Sequence, residues 1–319
     1  FFTLLNVVDL GIATHPNAFN SFVPIALNIV LCLIMMGFAF TRSEKQLLID
    51  SMVLAGWLAL VLLLVSSSAI NSSGRLSATI AGSQQDPNYY CSYFLVAIAF
   101  HAFRYFAKLK LADAFPLFLF FLAICFTGSR GGLFAFIAVC VMSIAVAFFY
   151  MGGSIKSLIA TVLLFGIAVS LVPIVMGLLP GVVSERFSIE YIVNHGMSGR
   201  SEIWDQLLEG FKNSSMVNMF FGSGISATQT MNVYGDVSHN LWLELLINSG
   251  IVGFVLFCLV LVFAVRQCVI DEQYHLLCAM VGFVVLCLSI SGITLKSLWM
   301  CLGVAYLSHG AMPRRKKSG

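Results

Sequence analysis

Apolar runs of about 20 residues recur along this chain with almost no interrupting charge, and they constrain its fold more than any other feature. Each is long enough to cross roughly 30 Å of hydrocarbon as an α-helix at 1.5 Å per residue, whereas barrel strands would alternate over about 10 residues. Composition agrees: of 319 residues 60% are hydrophobic and 10% charged, against about 25% charged in soluble domains. The runs predict an all-α fold, a polytopic transmembrane helical bundle forming a single integral membrane domain over residues 1–319. Eight read as spans, at 22–40, 47–67, 89–106, 112–126, 133–151, 155–179, 241–265 and 276–293, and a ninth at 297–309 is short. The chain starts at Phe1 rather than a methionine, so a further N-terminal helix or signal is expected to precede it.

Orientation follows from the basic residues between the runs. With residues 41–46 cytoplasmic, that side collects Arg42, Lys45, Arg104, Lys108, Lys110, Lys156, Arg266, Arg314, Arg315, Lys316 and Lys317. The other side holds Arg75, Arg130, Arg186, Arg200 and Lys212, with Lys296 at a membrane boundary. The bias therefore gathers Arg75, Arg130, Arg200 and His239 outside. The basic tail reads as a topology anchor drawn to anionic membrane lipids, and so apolar a chain is not expected to bind nucleic acid.

Several chemistries find no support. The nine cysteines fall almost wholly inside predicted helices, as small packing residues do, and none lies in the long outer loop. The six histidines are scattered, with no His-Glu-x-x-His or Cys-x-x-Cys pair, so no metal site and no cofactor is expected. The absence of a phosphate-cradling Gly-x-x-x-x-Gly-Lys sequence disfavours nucleotide-driven transport.

The outer residues carry the chemistry. The loop at 180–238 is too long for a connector, and within it a helix starting at Ser198 or Gly199 would place Ile203, Trp204, Leu207, Leu208 and Phe211 on one face. Lying along the membrane or packed down on the bundle, it would bring Arg200 to headgroup level; a docking helix whose arginine pairs with Glu202 is the plainer reading. Arg130 sits in a tight turn flanked by Gly128, Gly131 and Gly132, where a guanidinium near the membrane calls for an anionic partner. Arg75 reads as a loop arginine in water. Ser238 reads as an N-cap, placing His239 in the first turn of the next helix, where the helix dipole and the nearby arginines favour a neutral imidazole able to act as a base. A capping or surface role is the alternative for that histidine.

Taken in order, Ser129-Arg130-Gly131-Gly132, Gly199-Arg200-x-x-x-Trp204, Gly222-Ser223-Gly224, and His239-Asn240-x-x-Leu243 followed by Ser249-Gly250-Ile251-Val252-Gly253 resemble the bacterial O-antigen ligase and polysaccharide polymerase superfamily. Arg75-Leu76 followed by Asp86-Pro87-Asn88-Tyr89 is similar to a loop and helix start of that family. The resemblance covers roughly residues 70–265. It implies a GT-C-like bundle in the bacterial cytoplasmic membrane, working on its outer face as an inverting, metal-independent glycosyltransferase. The implied donor is a glycan on undecaprenyl diphosphate, and the acceptor a glycan that is lipid-linked or belongs to lipid A core; other polysaccharide assembly proteins are implied partners. Arg130 and Arg200 would bind the diphosphate, His239 would deprotonate the acceptor, and Arg75 and Asn240 are further substrate-binding candidates. The modest outer loop sets nothing aside for a bulky core acceptor, which favours a polymerase over a ligase. A lipid-linked glycan flippase remains a different class of reading, with Asn28, Asp50, His101 and Lys296 as its scattered intramembrane polar groups; a serine protease resting on Ser289-Ile290-Ser291-Gly292 is weaker still.

Overall fold

The computed structural model describes residues 2–65, 74–80, 83–108, 110–150, 177–188, 190–191 and 200–307, with 152, 159, 163, 166, 170, 174 and 175 between them. Most of the span expected at 155–179, Ser198, Gly199 and the basic tail fall outside the described residues. In chain order the described helices are α1 (Phe2–Gly11), α2 (Ala18–Gly37), α3 (Arg42–Val65), α4 (Pro87–Tyr90), α5 (Leu95–Lys108), α6 (Ala114–Thr127), α7 (Arg130–Phe149), α8 (Gly181–Glu185), α9 (Arg200–Lys212), α10 (Met216–Phe221), α11 (Ala227–Thr230), α12 (Leu241–Asn248), α13 (Gly250–Ile270), α14 (Tyr274–Leu286) and α15 (Lys296–Tyr306). A two-residue antiparallel ladder, Thr79–Ile80 with Ser83–Gln84, is the one β feature among them. The fold is an all-α membrane bundle.

Among the described residues α2, α3, α7 and α13 are long and apolar enough to cross a membrane, and α14 and the stretch through α6 are apolar but shorter. The long helices leave large apolar side chains such as Leu27, Leu58, Val141 and Val262 exposed, which lipid accommodates and water would not. Inside, α5, α7 and α14 pack against one another. Gly282 lets α14 approach closely, since a Cβ there would lie 2.6 Å from a methyl of Val139.

Two expected spans are not continuous. The run at 89–106 divides into α4, a 3-10 turn over Cys91–Tyr93, and α5. The run at 241–265 breaks between α12 and α13, where Gly250 adopts a left-handed φ of 65°. A Cβ at Gly250 would sit 2.4 Å from the Phe220 carbonyl oxygen, so the break is where the outer loop seats itself on the bundle. The amides of Ser223 and Gly224 donate to the carbonyls of Ile247 and Asn248 at 2.9 and 3.0 Å. From the other side Ser249 donates to the Asp9 carboxylate at 2.5 Å, fastening α1 to the same corner. Hydropathy averaged over a span does not show such a break, because Asn248 and Ser249 are only two polar residues between long apolar stretches.

At the far end of α13, Asp271 pairs with the buried Lys45 at the start of α3 at 2.7 Å. The bundle thus has two polar ends, and Lys45 marks the one that the basic bias assigns to the cytoplasm. That assignment predicts that a cysteine replacing the exposed Val233 reacts with a membrane-impermeant thiol reagent in intact cells, and that one replacing Lys110 reacts only after permeabilisation. Labelling both from the same side would overturn the orientation.

Candidate active site

Arg75 is only 8% exposed, which corrects its reading as a solvated loop residue. Its Nε donates to the Thr127 carbonyl at 2.7 Å and its Nη2 to Asn88 Oδ1 at 3.0 Å. Asn88 is held by α4, whose start is written locally: Asp86 caps it by accepting from the amides of Asn88 and Tyr89, and Pro87 takes the first helical position. The arginine is buried because residues far apart in sequence, at 88 and 127, close over it. No local pattern announces that.

The turn between α6 and α7 carries the next groups. Gly128 takes a left-handed φ of 61° and ends α6, and Ser129 caps α7 by accepting from the Gly132 amide at 3.0 Å. Arg130 is therefore the first residue of α7, as the Ser-Arg-Gly-Gly reading expects, and its guanidinium carbon lies 5.9 Å from the centre of the Tyr191 ring. Arg186 donates from Nε to the Gly128 carbonyl at 3.2 Å. A Cβ on Gly131 would fall 1.8 Å from Ser289 Oγ, so the 287–295 segment rests directly on the turn.

That segment also receives α9. Ile203 and Leu207 are buried against Ala227, Leu243 and Ile247, so most of the predicted apolar face, with Trp204 and Phe211, packs down onto the loop's own cluster and α12, while Leu208 of that face is exposed. Trp204 Nε1 donates to the Ser238 carbonyl at 2.7 Å, tying α9 to the residue before His239. Arg200 Nη1 donates to the Ser289 carbonyl at 2.6 Å. Glu202 instead accepts from the Tyr234 hydroxyl at 2.5 Å.

His239 sits differently from its expected place in the first helical turn. Asn240 is the N-cap of α12, accepting from the amides of Trp242 and Leu243 at 3.0 and 3.2 Å. His239 precedes the cap in a left-handed conformation with φ 50°, uncommon for a histidine and a small strain that the surrounding structure holds in place. The Leu241 amide is shared between the carbonyls of Cys287 and Ile290. Asn240, a substrate-binding candidate from sequence, spends its side-chain oxygen on the cap.

These elements enclose a cavity of about 400 Å³ lined by Arg75, Asp86, Asn88, Arg186, Arg200, Ile203, Tyr234, Asp236 and His239. Of the sequence candidates it brings together Arg75, Arg200 and His239; Arg130 stands beside it, within the electrostatic reach of Arg186 and Arg200. Arg186 was counted among the outer basic residues but given no role, and Asp236 and Tyr234 carried no signal. Burial, then the neighbouring Arg186, lowers the Arg75 guanidinium from 12.5 to about 10, leaving it charged at neutral pH. Burial also lowers Arg200. His239 is lowered from 6.5 by burial and then by Arg200, with Asp86 and Asp236 opposing. The outcome is a cation-rich pocket with a neutral imidazole in its wall, suited to holding a polyanion and accepting a proton beside it.

The family model for the O-antigen ligase domain matches residues 115–258. The match includes Arg130, Arg186, Arg200 and His239 and stops short of Arg75, and it supports placement in the O-antigen ligase and polysaccharide polymerase superfamily. A chain of a solved peptidoglycan synthase complex, described as coordinating polymerization and crosslinking, shares the fold: the TM-score is 0.54 at 18% identity, covering 97% of this chain and 94% of that one. No curated protein matches significantly.

The contact between Gly131 and Ser289 gives a test of the assembly. Gly131→Ala should displace the 287–295 segment, loosen Arg200 and reduce turnover. Adding Ser289→Gly, which removes the colliding side chain and keeps the carbonyl, should restore much of it. A Gly131→Ala protein as active as the parent would show that the close approach is immaterial.

Proposed function

We propose, on the strength of the O-antigen ligase family match over residues 115–258, that the chain is a membrane glycosyltransferase: an inverting, metal-independent enzyme that polymerises glycan repeats carried on undecaprenyl diphosphate at the outer face of a bacterial cytoplasmic membrane. The observation that carries this reading is the cavity that sets Arg75, Arg186 and Arg200 beside His239. Guanidinium forks match phosphate oxygens, and four cations counting Arg130 supply the charge that a divalent ion would otherwise bring to the leaving group.

In the proposed step the acceptor hydroxyl attacks the anomeric carbon from the face opposite the diphosphate. The bond from that carbon to the diphosphate oxygen breaks, its electron pair leaves on the diphosphate, and His239 takes the hydroxyl proton. A single displacement inverts the anomeric centre. Because diphosphate is already a competent leaving group, no acid need protonate it and one base suffices.

The ligase alternative differs only in acceptor, transferring finished polymer to lipid A core or another acceptor. Loss of a polymerase leaves single repeats on the final acceptor, and loss of a ligase leaves polymer on the lipid carrier, so the glycan ladder of a deletion strain decides. The flippase reading loses ground because its buried polar groups are engaged in the bundle, Asn28 donating to the Thr294 carbonyl at 3.1 Å and His101 lying between Trp57 and Asp113 at 3.1 and 2.6 Å, while Asp50 and Lys296 are exposed. Purified protein incubated with a lipid-linked oligosaccharide should release undecaprenyl diphosphate and lengthen the glycan, with or without a chelator. Movement of the lipid across liposomes without bond formation would overturn the enzyme reading.

His239→Ala should slow transfer by about 10²–10⁴, the usual contribution of a positioned base, with donor binding nearly intact. Arg200→Lys should impair donor binding as well as turnover, because an ammonium does not reproduce the fork. The active imidazole is the neutral one, so the rate should fall as pH drops through the lowered pKa of His239. Asp236 opposes that lowering, so Asp236→Asn should move the acid limb to still lower pH. An acid limb that persists unchanged in both His239→Ala and Asp236→Asn proteins would remove His239 from the base role.

A further inference from the structure

A second cleft of about 280 Å³ adjoins the cationic cavity and shares Asp86 with it. Gln85, Tyr89, Tyr90, Tyr93 and Lys296 line its other sides. Two of the three rings are anchored through their hydroxyls, Tyr89 donating to the Ser291 carbonyl at 3.1 Å and Tyr90 to the Ala59 carbonyl at 2.7 Å. Tyr93 stands edge-on to Tyr90, with ring centres 5.7 Å apart and planes at 69°, and is 39% exposed. Lys296, which opens α15, is exposed and enters no ion pair among the described residues. Tyrosine and lysine at a membrane boundary commonly form an interfacial belt. A belt faces outward over a convex surface, however, whereas these side chains converge on a concavity whose rings are fixed before any ligand arrives.

We propose that this cleft is a saccharide subsite for a sugar bearing a carboxylate, continuous with the reaction cavity through the shared wall at Asp86. The inference rests on the transferase reading and adds a substrate class to it. Tyr89 and Tyr93 offer apolar ring surface to the C–H face of a pyranose, with the buried Tyr90 backing Tyr93, the Gln85 amide and the Asp86 carboxylate offer polar partners for hydroxyls, and the Lys296 ammonium supplies three donors to an acidic substituent. The volume suits one ring with its substituents, so recognition reaches a sugar next to the reacting centre. The sugar belongs either to the donor repeat or to the acceptor chain.

Saturation-transfer NMR on the purified full chain, with tri-galacturonate and maltotriose as probes, tests this without any turnover. Tri-galacturonate should bind, maltotriose more weakly, and Lys296→Gln should weaken the acidic probe by up to about tenfold, the scale of one lost charge-assisted hydrogen bond. Tyr93→Ala should weaken both probes, and Tyr93→Phe, which keeps the ring, should bind as the parent does. A trianion is also drawn to the arginine cavity, so Lys296→Gln and Tyr93→Ala are compared again in an Arg200→Gln background, where both losses should persist, so that failure of the transferase reading and failure of the subsite are seen separately. In the transfer assay a raised KM for the donor alone or the acceptor alone in Lys296→Gln supports the subsite and identifies which substrate fills it. Equal binding of the two probes, or parental affinity in both Lys296→Gln and Tyr93→Ala, overturns it. So does a Lys296→Gln protein whose only change is weaker retention of phosphatidylglycerol over phosphatidylcholine in nanodiscs, which would return the residue to the interfacial belt.

Discussion

The hydrogen bond from Arg75 to the Thr127 carbonyl is the contact on which the site turns. Burying a guanidinium is costly, and the compensation chosen decides what the group can then do. A main-chain carbonyl orients the cation and leaves its charge in place, and the same device recurs where Arg186 meets the Gly128 carbonyl and Arg200 the Ser289 carbonyl. Three positive groups are thereby oriented around one small space, where Asp86 offsets part of the repulsion felt by Arg75 and Arg200 and an incoming polyanion would offset more. The lowered pKa of Arg75, set by burial and by Arg186, registers that tension.

The Thr127 and Gly128 carbonyls are available because α6 ends there, and the Ser289 carbonyl because its segment is irregular. The segment at 287–295 joins two apolar helices without the hydrogen-bonding ladder of either, so its backbone acceptors must find partners within the protein. They find them in the site. The carbonyls of Cys287 and Ile290 receive the Leu241 amide, Ser289 receives Arg200, Ser291 receives the Tyr89 hydroxyl, and Ile293 and Thr294 receive Trp299 and Asn28. One irregular stretch thus sets the positions of α4, α9, α12 and α15 relative to one another. A sequence reading that saw only Ser289 and Ser291 as nucleophile candidates looked at the wrong atoms, since what this stretch contributes is its main chain.

What the sequence made legible follows from how local each feature is. Helix-forming apolar runs and most of the apolar face of α9 are written within a few residues and were readable, Leu208 excepted; the Ser129 cap ahead of Arg130 is equally local but reads from sequence only as a tight turn. The break at Gly250 was not, because averaged hydropathy passes over the short Asn248-Ser249-Gly250 interruption and is blind to a left-handed φ; nor was the burial of Arg75, which depends on residues 13 and 52 positions away. His239 was found for its type and its place after the loop, but the helix cap was assigned two residues too early: Ser238 and Asn240 are both good capping residues, and only the hydrogen bonds to Trp242 and Leu243 tell them apart. Arg186 went unassigned because nothing nearby in sequence says that α8 folds back over the α6–α7 turn.

The cations and the imidazole are linked by more than proximity. Burial and Arg200 hold His239 below its ordinary pKa, so at neutral pH it is an uncharged base but a weakened one. A bound diphosphate would bring negative charge to the same arginines and offset the field they exert on the ring. The imidazole would then gain basicity when a donor is in place, and it would gain more as charge grows on the departing diphosphate. In the proposed reaction the groups that bind the leaving group therefore also govern the strength of the base, which ties proton removal from the acceptor to the presence of something for it to attack.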